Sequence, residues 1–476
     1  MPDERAIGKA DEPRIVRAEA MDEDLPHVPV AIVGAGACGL VAALMLRDAG
    51  IDCVLLERDD DPRGSTALSS GFIPAAGTRV QRAAGVADDC AARFAADIIG
   101  KTHGTAAAHL VAAYTGAIAA AIDTLEARHG LRFELLDGFL YPGHSVRRMH
   151  ALPERTGAAL MAALGKAAEA AGAMLVTQSL VRELWCNAEG RVLGIGYRRP
   201  DGSSEQLRCD ILLLACNGFG GNSAMVAELL PEMRDATFGG HTGNDGSAIA
   251  WGRQLGARLA DLGGYQGHGS WAVPQGALIS WAVMMDGGVQ VNTRGQRFHD
   301  ETQGYSEAAV HVLKQPGGIA WNVFDDPVLD LARGFPDFRE AEGAGALRTS
   351  ADTEALAATI GCPPDALRET LASVAPDAVD TFGRRFRRAL LPSFHAIKVT
   401  GALFHTQGGL DIDANARVLR QDGTPLPNLL AAGGAARGVS GNAVWGYLSG
   451  NGLLSAVAGG HIAAATASRQ LASETP

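Results

Sequence analysis

The stretch with the clearest chemical potential is Gly34-Ala35-Gly36-Ala37-Cys38-Gly39, which follows the apolar run Val30–Val33. A second apolar run, Cys53–Leu56, ends at Glu57. Glycines at 34 and 36 let the backbone turn tightly and approach a pyrophosphate, Gly39 lets a helix pack on a strand, and Glu57 can accept both ribose hydroxyls. An ordinary glycine turn has the same three glycines without an acid at this distance, so a dinucleotide ligand is expected. NAD and FAD share the fingerprint, and the motif leaves the choice between them open. Next comes Arg63-Gly64-Ser65-Thr66-Ala67-Leu68-Ser69-Ser70-Gly71, whose hydroxyl and backbone N–H groups can donate to a pyrophosphate or serve as a plain surface loop.

The elements that must position these residues follow from patterning. Strand, glycine turn, helix and strand account for residues 30–57. Residues 86–129 and 157–171 read as Ala-rich helices, and 174–215 switches to strand composition with hairpin signals at Asn187-Ala188-Glu189-Gly190 and Pro200-Asp201-Gly202. Asn244-Asp245-Gly246-Ser247 precedes a helix ending at Gly256-Ala257. Asp352 can cap a helix that Gly361 ends, and Pro363-Pro364-Asp365 can start the next. Gly423–Gly433 is a turn running into an apolar strand, and Gly452–Ala465 reads as a helix. At 476 residues, two domains are expected.

The net charge of −12, with Lys and Arg dispersed, argues against nucleic acid as a partner. Cysteines at 38, 53, 90, 186, 209, 216 and 362 show neither metal-ligand spacing nor a haem attachment motif, so no metal is expected and a reducing compartment is. Residues 1–27 are charge-rich without an apolar core and read as a disordered tail rather than a signal peptide, which makes the cytoplasm the expected location. His103–Ile122 carries no Asp, Glu, Lys or Arg. Its Ala, Gly and Thr content favours a buried helix over a membrane span.

Gly423–Gly433 and the helix after it resemble the closing segment of the flavoproteins that group fumarate reductase with 3-ketosteroid dehydrogenase. This implies FAD rather than NAD. It also implies an α/β fold: a Rossmann-like FAD-binding domain of the glutathione-reductase type at 28–262 and 405–470, with an inserted α+β cap domain at 263–404. The active site is expected between flavin and cap. Arg63–Gly71 resembles a Gly-Ser-Thr-Ala-Leu-Ser-Gly stretch of the ketosteroid enzymes, and no histidine stands near Ser65, so FAD is expected to be noncovalent. Cys216-Asn217-Gly218-Phe219 resembles the turn that carries the family's chain past the cofactor, and Ala432-Gly433-Gly434 stands where many relatives carry Ala-Gly-Glu. The cofactor-binding positions implied are Gly34, Gly36, Ala37, Gly39, Glu57, Arg58, Ser65, Thr66, Ser69, Ser70, Gly71, Val181, Ala215, Cys216, Asn217, Gly218, Asp245, Gly433, Gly434, Asn451, Gly452, Leu453 and Leu454.

For catalysis, Gln266-Gly267-His268-Gly269-Ser270 and His405-Thr406-Gln407-Gly408-Gly409 are similar to the two histidine motifs of fumarate reductases. Counting from Asn292-Thr293-Arg294-Gly295-Gln296-Arg297-Phe298, the family's acid arginine falls on Tyr305. Its relay Glu and Arg fall on Trp281 and Met284, and its carboxylate-clamping arginine falls on Tyr447, in Tyr447-Leu448-Ser449-Gly450-Asn451. Gly138-Phe139-Leu140-Tyr141-Pro142 is similar to a Tyr-Pro stretch of the ketosteroid branch. That branch implies α,β-dehydrogenation of a cyclic ketone, keto acid or steroid-like substrate. Tyr447, with a backbone N–H near Asn451, would polarise the ketone; Tyr305, supported by Tyr141, would remove the α-proton; hydride would pass to flavin N5. A phenol has an ordinary pKa near ~10, so the base needs hydrogen bonds or nearby positive charge. His268 or His405 could supply that, bind a substrate carboxylate, or be structural. The reverse chemistry, a fumarate-reductase-like enoate or dicarboxylate reductase acting on an enone, and an electron-transfer flavoprotein subunit remain alternatives. The electron acceptor or donor is unassigned.

Overall fold

The computed structural model describes residues 12–137, 140–376 and 379–474. The chain divides into two compact units, one of Met1–Leu229, Gly240–Tyr265 and His405–Pro476, the other of Leu230–Gly239 and Gln266–Phe404. The expected tail is ordered from residue 12 on. Arg14–Arg17 (β1) is a strand, and Met21 is buried. Only Ile15 and Val16 supply its apolar content, a signal too short to stand out among charges. Residues 1–11 of that expectation lie outside the described residues.

His27–Val33 (β2), Ala37–Asp48 (α1) and Cys53–Leu56 (β3) form the strand, helix and strand around the glycine turn. β2 and β3 pair in parallel with Val30 opposite Cys53 and Val33 opposite Leu56. Both strands are covered on their two faces, which is why they read as unbroken apolar runs. Ala108–His129 (α2) ends at Gly130, in the left-handed region at φ +72°. By length and composition α2 is apolar enough to cross a membrane, and Leu110, Val111, Tyr114, Ile118, Ile122 and Leu125 lie in the core of this unit.

Met174–Val176 (β4), Leu180–Cys186 (β5), Val192–Arg198 (β6) and Ser204–Leu214 (β7) extend the sheet in the order β1-β5-β6-β7-β2-β3-β4. β5, β6 and β7 are an antiparallel meander, with Gly190 and Gly202 at positive φ in its turns. β7 then runs parallel to β2, bringing Ala215 to the glycine turn. Ser247–Leu255 (α3) ends at Gly256.

The second unit is a sheet in which Tyr265–Ala272 (β8), Val289–Val291 (β9), Ile319–Asp325 (β10) and Phe394–Thr406 (β11) lie in the order β8-β11-β10-β9, with helices around them. Thr237–Phe238 pairs with Ala402 and Leu403 of β11, so residues 230–239 belong to this unit rather than to the first, where the sequence reading put them. A two-residue strand carries no periodicity to reveal this. Tyr305–Leu313 (α4) starts after Gly304, at φ +140°. Asp352 accepts from Ala355 N–H at 2.8 Å at the start of Thr353–Ile360, and Gly361 ends that helix.

The chain then returns to the first unit. Pro425–Ala431 (β12) pairs in parallel with β7, and Asn451–Glu474 (α5) packs along α1. The approach is close enough that a β-carbon on Gly460 would lie 2.5 Å from the Cys38 carbonyl oxygen.

Candidate active site

The glycine turn has the shape of a phosphate cradle. Gly34 sits at φ +101°, and a β-carbon there would lie 2.6 Å from the Ala215 carbonyl oxygen; one on Gly39 would lie 2.0 Å from the Gly34 carbonyl oxygen. A β-carbon on Gly36 would meet, among the described residues outside its own chain neighbours and helix backbone, Thr66 Oγ1 alone within 4 Å, at 4.0 Å. Gly36 is also the N-cap of α1 and no side chain caps it, which leaves a helix N-terminus suited to an anion. Glu57 accepts from Ala35 N–H at 2.9 Å and Asp59 N–H at 3.1 Å, so its carboxylate is held in place with lone pairs to spare.

These contacts separate two glycines that look alike in the sequence. Gly34→Ala is expected to lower the melting temperature of the FAD-free chain, because it strains the backbone and strikes Ala215, at a cost above about 1 kcal/mol. Gly36→Ala is expected to leave that melting temperature unchanged and weaken FAD binding at least tenfold. Thermal melts and flavin fluorescence titration of both variants check this.

In the hydroxyl loop, Ser65 Oγ accepts from Asn217 Nδ2 at 3.0 Å and Asn244 Nδ2 at 2.8 Å, which leaves its proton to donate. Thr66 Oγ1 lies 3.4 Å from Ala37 N–H. Ser69 Oγ donates to Thr66 O at 2.7 Å and accepts from Gly71 N–H, so this hydroxyl is committed to the loop itself. Arg58 donates to Gly243 O, and Asp245 is held by Arg182 and Ser247. Burial raises the Asp245 pKa, but the Arg182 charge and these hydrogen bonds outweigh it and the carboxyl titrates below its ordinary range. Val181 and Leu454 are buried core residues.

Asn217 follows β7 in the left-handed region at φ +65°. A β-carbon on Gly434 would lie 2.0 Å from Asn217 Oδ1 and 3.0 Å from His405 Nε2. Asn217 therefore occupies the space into which an acid at 434 would project. Gln407 Nε2 donates to His405 Nδ1 at 2.7 Å, Ser440 Oγ donates to Gln407 Oε1 at 3.0 Å, and Asn451 Nδ2 donates to Ser440 Oγ at 3.1 Å. Asn451 is fully buried, and its Oδ1 has no hydrogen-bond partner among the described residues. A buried acceptor without a donor is what a ligand hydroxyl or N–H would satisfy.

Tyr447 is buried, and its segment is tied to the one that carries Tyr141. His144 Nε2 donates to Ser449 O at 2.9 Å, and Arg148 Nη1 donates to His144 Nδ1 at 3.0 Å. Arg148 is itself buried against Asp89 at 2.9 Å and against Asp97. Tyr141 meets Phe72 edge-on at 6.3 Å. Gly138 and Phe139, which precede Tyr141 in the Tyr-Pro stretch, lie outside the described residues. The sequence reading missed His144, Arg148 and Ser440, and no local pattern marks them, since their partners are distant in the chain.

In the second unit, Tyr305 opens α4 with its ring stacked on His268 at 4.9 Å and 23°. Trp281 meets His268 edge-on at 5.7 Å and Phe404 does so at 6.0 Å. His268 Nδ1 accepts from Ser270 N–H at 3.1 Å. Burial pushes the His268 pKa down to about 3 and that of half-buried His405 down to about 4. Both imidazoles are neutral at pH 7. Desolvation thus works against either ring being a positive charge beside a tyrosine base. Trp281 Nε1 donates to Glu301 O, and Met284 O accepts from Arg384. The nearby ionic groups are committed to one another: Glu301 is held by Arg297 at 2.6 Å and Arg384 at 2.7 Å.

The FAD binding domain family matches residues 29–453. A probable fumarate reductase of Shewanella frigidimarina is 28% identical over 449 residues, spanning 92% of this chain and 74% of that protein. The 4-oxocyclohex-2-ene-1-carboxylate 5-dehydrogenase of Sinomonas cyclohexanicum is 24% identical over 539 residues, spanning 88% and 90%. Among solved structures, a 3-ketosteroid-delta4-(5alpha)-dehydrogenase of Rhodococcus jostii matches with a TM-score of 0.75 at 22% identity, over 95% of this chain and 99% of that one.

Proposed function

The chain belongs to the FAD binding domain family, and on that premise we propose that it desaturates a cyclic ketone or keto acid beside its carbonyl. It is an FAD-dependent oxidoreductase, one of the flavoproteins that include fumarate reductases and ketosteroid dehydrogenases. The residues that would hold FAD are Gly34, Gly36 and the α1 N-terminus for pyrophosphate, Glu57 for ribose, and Ser65, Asn217 and Asn451 further along. When bound, FAD supplies a two-electron acceptor for hydride leaving the β-carbon.

The observation that carries the proposal is Tyr305 stacked on a neutral His268 among Trp281 and Phe404. An apolar, aromatic surrounding suits a ketone ring better than a dicarboxylate, which calls for cationic forks. Tyr447 donates its O–H to the ketone and stabilises enolate charge as it develops, which acidifies the neighbouring C–H. Tyr305, as its phenolate, takes the α-proton and becomes the phenol, with Tyr141 donating a hydrogen bond that favours the phenolate beforehand. The neutral histidines act as N–H donors and can hold a carboxylate on the ring. The name of the Sinomonas relative supports this class, since it specifies a cyclic enone carrying a carboxylate.

A second reading, reduction of an enoate or dicarboxylate, is favoured by the two histidine motifs and the 28% identity to a fumarate reductase. Anaerobic titration of the FAD-loaded protein separates the two. We expect 4-oxocyclohexanecarboxylate to bleach the flavin and succinate not to; bleaching by succinate alone overturns the proposal. The cytoplasm is the location we propose, in keeping with seven free cysteines, and the electron partner is a separate molecule of unassigned class.

A further inference from the structure

We infer that Gln407 is a positioning residue whose amide, oriented through Ser440 by Asn451, holds His405 as the Nε2–H tautomer, so that His405 meets its ligand as a hydrogen-bond donor. The inference rests on reading His405 as a site residue and deepens that reading.

A neutral imidazole has two tautomers, and the partner of one ring nitrogen decides which is present. His405 Nδ1 lies 2.7 Å from Gln407 Nε2, an amide nitrogen that can only donate, so Nδ1 must carry the lone pair and Nε2 the proton. The sense of the Gln407 amide is not its own property. Its Oε1 faces Ser440 Oγ at 3.0 Å, and a hydroxyl can either donate or accept. Ser440 is directed by its second partner, Asn451 Nδ2 at 3.1 Å, which fills a Ser440 lone pair and sends the hydroxyl proton to Gln407.

Reversing all three groups would produce an equally complete chain with the proton on Nδ1 and a bare Nε2. The choice is therefore made at Asn451, whose Oδ1 is buried without a partner among the described residues. A ligand hydroxyl or N–H donating to that oxygen keeps the amide nitrogen on Ser440 and so keeps the proton on His405 Nε2. The glycine at 434 leaves Nε2 uncovered, since a β-carbon there would stand 3.0 Å from it. Neutrality at pH 7 is a precondition, and the partial burial of His405 works toward it by lowering its pKa.

The test is the 15N spectrum of the full-length, FAD-loaded protein labelled at histidine, with the His405 signals assigned by their loss in His405→Gln. The wild type is expected to show a protonated Nε2 and an unprotonated Nδ1 from pH 6 to 8. In Gln407→Glu a carboxylate accepts from the ring, and the Nδ1 signal is expected to move to the protonated position. In Ser440→Ala the amide loses its guide and an averaged pair of signals is expected, with Ser440→Thr restoring the wild-type pattern. A wild-type Nδ1–H, or a Gln407→Glu spectrum identical to wild type, overturns the inference. The spectrum needs no substrate, so it stands or falls separately from the ketone titration.

Discussion

Tyr305→Phe is expected to slow ketone-driven flavin reduction by about 10²- to 10⁴-fold, the range removed when a positioned acid–base group is lost. The substitution keeps what the ring does for the fold. Phenylalanine can still stack on His268 at 4.9 Å and fill the same place against the core of Trp281, Val283 and Met284. It still starts the helix after Gly304. Only the hydroxyl is lost, so FAD binding should be kept while the rate constant for anaerobic bleaching falls. Single-turnover stopped-flow with a saturating ketone reads that constant directly. A wild-type rate in the variant would remove Tyr305 as the base and leave its ring a packing element.

The second large effect is acid lability. Four histidines are deeply buried with their titration pushed down by desolvation: His144, His150 and His299 to about 4, and His268 to about 3. Neighbouring acids oppose the trend, Asp97 and Asp89 beside His144 and Glu301 beside His299, but burial outweighs them. The sign follows from which state binds more protons. Between pH 6.5 and about 4 the unfolded chain takes up protons that these buried rings refuse, so stability falls as pH falls, and the loss levels off once the folded rings protonate. Above pH 6.5 both states are neutral and the effect vanishes.

At 1.36 kcal/mol per pH unit, a histidine held at about 4 costs roughly 3 kcal/mol in acid. Four together reach the order of 10 kcal/mol, comparable to the whole stability of a typical domain. His405 is left out because it is partly exposed, where solvent screens the effect. Urea denaturation midpoints are expected to hold level from pH 8 to 7 and then drop steeply to pH 4.5. A level profile through pH 5 would mean that the rings protonate inside the fold.

The dinucleotide turn was legible because everything that defines it is local. Two apolar runs, three glycines and an acid within one strand–helix–strand segment declare their geometry through short-range sterics and periodicity. The helix stops at Gly130, Gly256 and Gly361 belong to the same class, since left-handed φ is a property of one residue. Pattern also revealed the meander β5-β6-β7 through its two glycine turns, and the motifs around His268 and His405 could be read from residue order alone.

Tertiary structure decided what depends on residues far apart in the chain. Gly34 must be glycine because of Ala215, and Gly434 because of Asn217 and His405. The protonation of His268 and His405 is set by desolvation, which no single residue carries. The commitment of Arg148 to Asp89, of Glu301 to Arg297 and Arg384, and of Gln407 to His405 depends on which polar groups are shut away from water together. Backbone preference acts over a few residues and is written in order along the chain; hydrogen-bond partners and burial are fixed only once distant segments pack, and that packing makes Tyr305 and His268 neighbours.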